Sequence, residues 1–234
     1  MSQDDVQVAR GEADFVAAKS TLPALPYPLP EEREAIITAR LLLRPIQDSD
    51  LQAIHEMQAD PAVAQWTATG IPDADIDVTR RKMAKRQENI KEILDCVICL
   101  ASTGQVIGVG GQHRRSGMLG WPEVFYYLKK EFWGQGYGTE FLKAFLEWYW
   151  VQPRAELDLK VDKATILDLD AAAGGAAVPE CIVATTVEDN TASRNVMAKS
   201  GLQLVRLYPV TDVRDASRKI DILCHVARRP QQGH

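Results

Sequence analysis

Apolar residues at three- and four-residue spacing, Phe141, Leu142, Phe145, Leu146 and Tyr149, predict a helix over residues 139–150. Just upstream, the aromatic and β-branched run Val124-Phe125-Tyr126-Tyr127 predicts a strand within residues 121–129. Between the two lie Gly134, Gly136 and Gly138, at alternate positions. Glycine permits positive φ and close backbone approach. A glycine loop that opens a helix leaves free N–H groups at the positive end of the helix dipole. Such a loop is a seat for phosphate; a plain structural turn is the alternative.

The same patterns divide the rest of the chain. Ile36-Ile37-Thr38 and Leu41-Leu42-Leu43 predict a first strand over residues 35–45. Asp48-Ser49-Asp50 offers an N-cap for a helix with the stripe Leu51, Ile54 and Met57. Asp60-Pro61 ends that helix, residues 62–66 form a turn or short helix, and a second helix covers residues 76–93. Residues 96–101 and 105–112 form a hairpin across Ser102-Thr103-Gly104. Gly108, Gly110 and Gly111 in its second strand predict a bulge or a close backbone passage. A turn over residues 114–120 leads into the strand described above. Strands over 181–186, 202–210 and 219–227 and a helix over 190–200 complete the order βααβββαβαββ. Mixed strands with helices between them predict an α/β sheet packed with helices.

Two stretches fall outside this pattern. Residues 1–30 read as a Pro-rich N-terminal arm, extended like polyproline, that either wraps the domain or hangs free. Residues 152–180 read as a flexible insertion with at most a short ordered start, because residues 171–177 are all Ala and Gly. One domain is expected over residues 31–228, with a tail at 229–234.

Composition narrows the class. The chain has 234 residues, 46% hydrophobic and 25% charged, as in a soluble globular protein. A net charge of −5 advertises no basic face, so no nucleic-acid partner is expected. No apolar run approaches the ~20 residues of a membrane helix, and the acidic start around Asp4 and Asp5 lacks the layout of a signal peptide. Cys96-x-x-Cys99 lies in a strand-like apolar run with no second close pair. It reads as reduced, packed cysteine rather than a zinc or redox site, which points to a reducing cytoplasm and no metal.

The glycine loop matches neither the P-loop, since no Gly-Lys-Ser/Thr follows, nor the dinucleotide fingerprint. Trp133-Gly134-Gln135-Gly136-Tyr137-Gly138 instead resembles the acyl-CoA pyrophosphate loop of the GNAT superfamily of N-acetyltransferases, Arg/Gln-x-x-Gly-x-Gly/Ala, with Trp133 in the first position. The longer run through Thr139 and Glu140 resembles the branch of the ribosomal-protein-alanine acetyltransferases. Asn190-x-x-Ser193-x-x-Val196-x-x-Lys199-x-Gly201-Leu202 resembles the superfamily's Asn-x-x-Ser-x-x-Val-x-x-Lys-x-Gly-Phe, with Leu202 replacing Phe. Asn190 and Gly201 also fit plain capping grammar. Glu123-Val-Phe125-Tyr126-Tyr127-Leu128 resembles the strand Glu-Ile-Gly-Tyr-x-Leu, with Phe125 in place of a small residue. The resemblance covers about residues 35–227 and leaves 152–180 unmatched.

The resemblance implies a mixed, mostly antiparallel central sheet flanked by helices. It implies acetyl-CoA as co-substrate and direct transfer of the acetyl group to a primary amine, on a protein N-terminus or a small molecule. The chain would be a monomer or homodimer. A non-catalytic acyl-CoA-binding or scaffold protein on the same fold is the alternative, kept open by Trp133 and Phe125. The amides of Gly134, Gln135, Gly136, Tyr137, Gly138 and Thr139 would hold the pyrophosphate, beside Trp133. Tyr127, Leu128 and Lys129 would border the pantetheine, with an N–H near Leu128 meeting the oxyanion. On the other motif, Ser193 would contact the coenzyme, and Asn190 would orient the pantetheine or the acceptor.

A lysine-like amine has a pKa of ~10.4 and an α-amine ~7.7–8.0, so the first needs a base more than the second. Glu123 is the candidate base, through water, or else a carboxylate that anchors the acceptor; His113 is the runner-up. Ser193 is first a coenzyme contact and second a proton donor to the leaving thiolate, whose pKa of ~8.5 asks for little help. Cys181 is a possible acyl-carrying nucleophile, although direct transfer is the family norm. Trp66 is either an aromatic of the acceptor groove or a core residue.

Overall fold

A computed structural model describes residues 8–230 of the chain. In chain order the elements are β1 (Ala9–Arg10), β2 (Phe15–Pro23), β3 (Ile36–Ile37), β4 (Leu41–Arg44), α1 (Leu51–Ala59), α2 (Pro61–Ala64) and α3 (Ile76–Gln87). There follow β5 (Leu94–Leu100), β6 (Val106–Arg114), β7 (Glu123–Leu128), α4 (Tyr137–Trp150), β8 (Arg154–Asp162) and α5 (Leu169–Ala173). The last are β9 (Cys181–Val187), α6 (Thr191–Lys199), β10 (Gln203–Asp212) and β11 (Asp215–Arg228). The fold is the expected α/β class, with mostly antiparallel sheet and flanking helices. No helix among the described residues is long and apolar enough to cross a membrane. The acidic start around Asp4 and Asp5, and residues 231–234 of the expected tail, lie outside the described residues.

Two compact units make up the chain. One comprises residues 25–113 and 124–151. Its strands run in the order β3-β4-β5-β6-β7, antiparallel at β3–β4, β4–β5 and β5–β6. β7 is the strand that positions candidate chemistry, and its side chains alternate between two faces. Phe125 and Tyr127 pack with Ile54 and Met57 of α1, Met83 of α3, and Val97 and Val109 of the sheet. Tyr126, on the opposite face, meets Phe141 of α4 with ring centroids 6.1 Å apart. β7 therefore separates the α1/α3 layer from α4.

Four expectations for this unit change. Residues 35–45 are two short antiparallel strands joined by a turn at 38–40, because Thr38 both accepts the Leu41 amide and donates to Glu140. α3 stops at Gln87 rather than residue 93, as the chain turns to enter β5, which is buried from Leu94 to Cys99. α4 starts at Tyr137 rather than 139, directly after Gly136. Asp50 does not cap α1; its carboxylate takes the Gln47 amide at 2.8 Å and the Arg44 guanidinium at 2.7 and 2.8 Å. The close passage expected in β6 is present at Gly111, whose φ is +131°. A Cβ there would sit 2.2 Å from the Leu94 carbonyl oxygen.

The other unit comprises the described residues up to 24, residues 114–123, and those from 152 onward. Its strands run β1-β10-β11-β9, with β1 parallel to β10 and the others antiparallel. Glu123 adds a single parallel register pair to β9, opposite Val183. A second sheet pairs β2 with β8 over nine residues each, from Phe15↔Asp162 to Pro23↔Arg154. This ribbon corrects both outlying expectations. Residues 15–23 form a long strand held on the core, with most of the proline run following it, and 152–180 begins with that strand's partner and holds α5 as well. The ribbon forms because Val16, Ala18, Leu22, Leu157, Leu159 and Val161 line one face, packed on Trp121, Leu119, Val183 and Val205. Trp121 is fully buried, and its indole N–H donates to the Thr165 hydroxyl at 2.8 Å.

His225 is buried on β11 opposite Ala184, on the face away from Cys224 and Val226, which join the core under the ribbon. Burial lowers its imidazole pKa below the ordinary 6.5, against the opposing effect of a backbone hydrogen bond at Leu223. The folded state thus binds the proton less readily than the unfolded state. The resulting stability is fully present above about pH 6.5 and is lost as the pH falls below it. Unfolding midpoints measured from pH 7 to pH 5 are expected to fall less in His225→Gln than in the parent. Parallel pH profiles would contradict the assignment.

Candidate active site

The glycine loop forms as its residues dictate. Gly134 has φ +71° and Gly136 φ +84°, the left-handed region that side chains disfavour. Gly136 occupies the N-cap of α4, and no side chain caps the helix there. The first-turn amides of Tyr137, Gly138 and Thr139 are therefore left for an outside acceptor, at the positive end of a 14-residue helix. Side chains brace the loop from behind. Gln135 Nε2 donates to the Glu131 carbonyl at 2.7 Å, and Trp133 Nε1 donates to the Leu128 carbonyl at 2.8 Å. The Trp133 bond takes one of the two lone pairs of the Leu128 carbonyl. The next amide, that of Lys129, donates to the Ile107 carbonyl at 2.8 Å.

Beside the loop, Glu140 in the first turn of α4 carries an acidic side chain. Burial pushes its carboxyl up, but the Thr38 hydroxyl at 2.6 Å and the Arg40 guanidinium at 2.6 Å hold it below its ordinary value. Lys129, mostly buried, pairs with Glu56 at 2.8 Å and holds that carboxyl down. Tyr127 is half-buried beside Phe125, with centroids 5.6 Å apart. His113 stacks on the other side of Phe125 at 4.8 Å, and Trp66 is half-buried after α2. Phe125 is thus a packed member of an aromatic row rather than a gap.

In the other unit, Glu123 starts β7 and is 7% exposed. The Thr185 hydroxyl donates to its Oε1 at 2.8 Å, and Arg114 Nη1 lies 3.8 Å from Oε2. A carboxylate so placed can accept a proton from an amine or from water. Asn190 is the expected N-cap of α6: its Oδ1 accepts the Ser193 amide at 3.0 Å. Ser193 is half-buried in the first turn, and Gly201 follows the helix with φ +83°. Cys181 is fully buried, and burial pushes its thiol up to about 12. Almost no thiolate forms at neutral pH, so it is not an acyl-carrying nucleophile. All four cysteines are buried and free, and no three metal-ligating side chains converge among the described residues.

The structure thus brings 133–139 together as one amide cradle and Asn190 with Ser193 as another helix start. Sequence reading passed over Thr185, which positions Glu123, and Arg40, which donates into the cradle. Thr185 sits in a strand where alternation signals only burial. Arg40 lies in a three-residue turn, with no periodicity to mark it.

Comparison with known proteins accords with this geometry. The family model described as "Acetyltransferase (GNAT) domain" matches residues 40–203. No curated protein matches the chain. Among solved structures, the acetyltransferase (GNAT family) from Bacillus anthracis is 18% identical. It covers 84% of this chain and 99% of its own, with a TM-score of 0.61. Spermidine N-acetyltransferase from Vibrio cholerae, in complex with CoA and spermine, is 13% identical; it covers 82% and 97%, with a TM-score of 0.60. A ribosomal L7/L12 alpha-N-protein acetyltransferase in complex with coenzyme A is 16% identical; it covers 83% and 98%, with a TM-score of 0.59. These likenesses bear on the fold, and the family match spans more than two thirds of the sequence: the chain belongs to the GNAT acetyltransferase family.

Proposed function

We propose that the protein moves an acetyl group from acetyl-CoA directly to a primary amine. The single observation behind this reading is the uncapped, glycine-bounded start of α4. Its amides replace phosphate hydration with fixed donors and need no metal. The residues fit the coenzyme on two grounds. Side chains are missing where a diphosphate must approach, at Gly134 and Gly136, and the nearby Glu140 carboxylate is neutralised by Arg40. Bound there, acetyl-CoA supplies an activated thioester.

The chain's own groups do the rest. The 134–139 amides hold the diphosphate, and Trp133, Tyr127, Leu128 and Lys129 border the pantetheine. Asn190, whose carbonyl oxygen is committed to its cap, offers the coenzyme its NH2 group, and Ser193 its hydroxyl. Glu123, oriented by Thr185, takes the amine proton, directly or through water. The acceptor is a protein N-terminus or a small amine. The neighbours named above act on spermidine and on a ribosomal protein's α-amine. Buried, free cysteines suit a reducing cytoplasm.

Thiol release from acetyl-CoA over a panel of N-terminal peptides and polyamines tests the reading. Turnover is expected with at least one amine. In Glu123→Gln, kcat is expected to fall about 100-fold, with little change in the KM for acetyl-CoA. Tight coenzyme binding without turnover on any amine would instead indicate a non-catalytic acyl-CoA-binding protein.

A further inference from the structure

The cradle Trp133–Thr139 contains no basic side chain. Its first residue is Trp133, whose one donor is committed to the Leu128 carbonyl. Yet a diphosphate carries at least two negative charges, which amides alone neutralise poorly. A cation reaches the cradle from elsewhere in the same unit. Arg40, in the turn between β3 and β4, lays its guanidinium against Gly136: a Cβ on that glycine would be 3.4 Å from Nη2. Nη1 donates to the Gln135 carbonyl at 3.0 Å, and the guanidinium carbon stands 4.4 Å above the Tyr137 ring. Nε and Nη2 hold Glu140 Oε2 at 2.7 and 2.6 Å. These bonds fix the plane of the group while its side chain stays 46% exposed. A guanidinium has five N–H donors. Three are committed here, leaving one on Nη1 and one on Nη2 without a partner among the described residues.

We infer that Arg40 is a phosphate ligand: its two remaining N–H donors bind the diphosphate of the coenzyme alongside the amides of residues 134–139. The inference rests on the acetyl-CoA reading and names a residue that neither the loop motif nor the α6 motif contains. Glu140 and Thr38 act as its brace. They hold the fork so that little side-chain freedom is lost on binding. Arginine suits the role because its planar fork matches paired phosphate oxygens.

The test is calorimetric titration of the full chain and of Arg40→Gln with acetyl-CoA and with acetyl-3′-dephospho-CoA. The substitution is expected to weaken both ligands by about tenfold or more, and to a similar degree, since charged hydrogen bonds to the diphosphate are common to the two. A penalty confined to acetyl-CoA would place Arg40 on the 3′-phosphate and overturn the assignment. The double variant Arg40→Gln/Glu140→Gln is expected to stay as weak as Arg40→Gln. Recovery of parental affinity would mean that Arg40 only cancels Glu140, and would overturn the inference. If Arg40→Gln lowers the unfolding midpoint of the free chain, Arg40→Lys is read instead. It keeps the charge but loses the fork, so several-fold weaker binding is expected and parental affinity would be contrary. No binding by the parent chain defeats the coenzyme reading itself, whereas parental binding matched by Arg40→Gln defeats only the role of Arg40.

Discussion

Gly136→Glu is expected to abolish acetyl-CoA binding. Three effects add at one position. Gly136 sits at φ +84°, where an L side chain costs about 1–2 kcal/mol and would pull the loop out of register with α4. A carboxylate there would face the incoming diphosphate. Two unit charges about 5 Å apart at an effective dielectric of about 20 repel by about 3 kcal/mol, more than a hundredfold in affinity. The new carboxylate would also lie beside the Arg40 guanidinium, which is 3.4 Å from the Cβ position, and would draw that cation to itself. Gly136→Ala carries only the first effect and is expected to bind measurably, though more weakly than the parent. Titration of both variants at one salt concentration separates backbone strain from charge. Parental affinity in Gly136→Glu would remove the diphosphate from this loop.

Gly111→Ala is expected to destabilise the protein by about 3 kcal/mol, through the sheet rather than the site. The backbone at Gly111 has φ +131°, and an added methyl would meet the Leu94 carbonyl oxygen at 2.2 Å and the Asp95 Cα at 2.5 Å. Both obstacles are main chain of the paired strand β5, so no side-chain rotation relieves them. Gly104 makes the comparison fair. Its φ is +72°, but nothing lies within 4 Å of its Cβ position, so Gly104→Ala carries strain alone, about 1 kcal/mol. For a chain of this length each kcal/mol shifts the unfolding midpoint by about 2–4 °C. Thermal unfolding is therefore expected to place Gly111→Ala about 6–12 °C below the parent and Gly104→Ala only a few degrees below. Equal shifts would mean that β6 does not pass β5 as closely as the structure has it.

These two glycines also mark what the sequence could and could not disclose. Gly136 was legible because its neighbours carry a signal of their own. The aromatic run before it and the Phe141, Phe145 and Tyr149 stripe after it fix a strand and a helix, and the turn between them must expose amides. Asn190 was legible for the same reason, since capping grammar alone places it at a helix start, and the structure puts its side chain on the Ser193 amide. The β2–β8 ribbon was missed, although residues 156–162 alternate strictly as Glu-Leu-Asp-Leu-Lys-Val-Asp. The Ala- and Gly-rich run that follows drew the whole segment into a flexible reading. The partner strand Phe15–Pro23 lies some 140 residues away, and its weaker alternation ends in a proline cluster. Pairing at that separation leaves no local trace. Arg40 was invisible for a related reason: its role depends on Glu140 and Gln135, far along the chain, and an arginine in a polar turn is ordinarily solvated. The buried state of Cys181 decided against a nucleophile that chemistry alone had left open.

The phosphate seat at the start of α4 is the claim on which the remaining functional assignments depend, and one titration tests it most directly. Acetyl-CoA titrated calorimetrically into the full chain is expected to give saturable, single-site heat with a dissociation constant below about 1 mM, the upper range of working enzyme–substrate affinities. Inorganic pyrophosphate is expected to compete for the same site. An absence of saturable acetyl-CoA binding at millimolar concentration, by calorimetry and by a second method that does not depend on heat, would contradict the account.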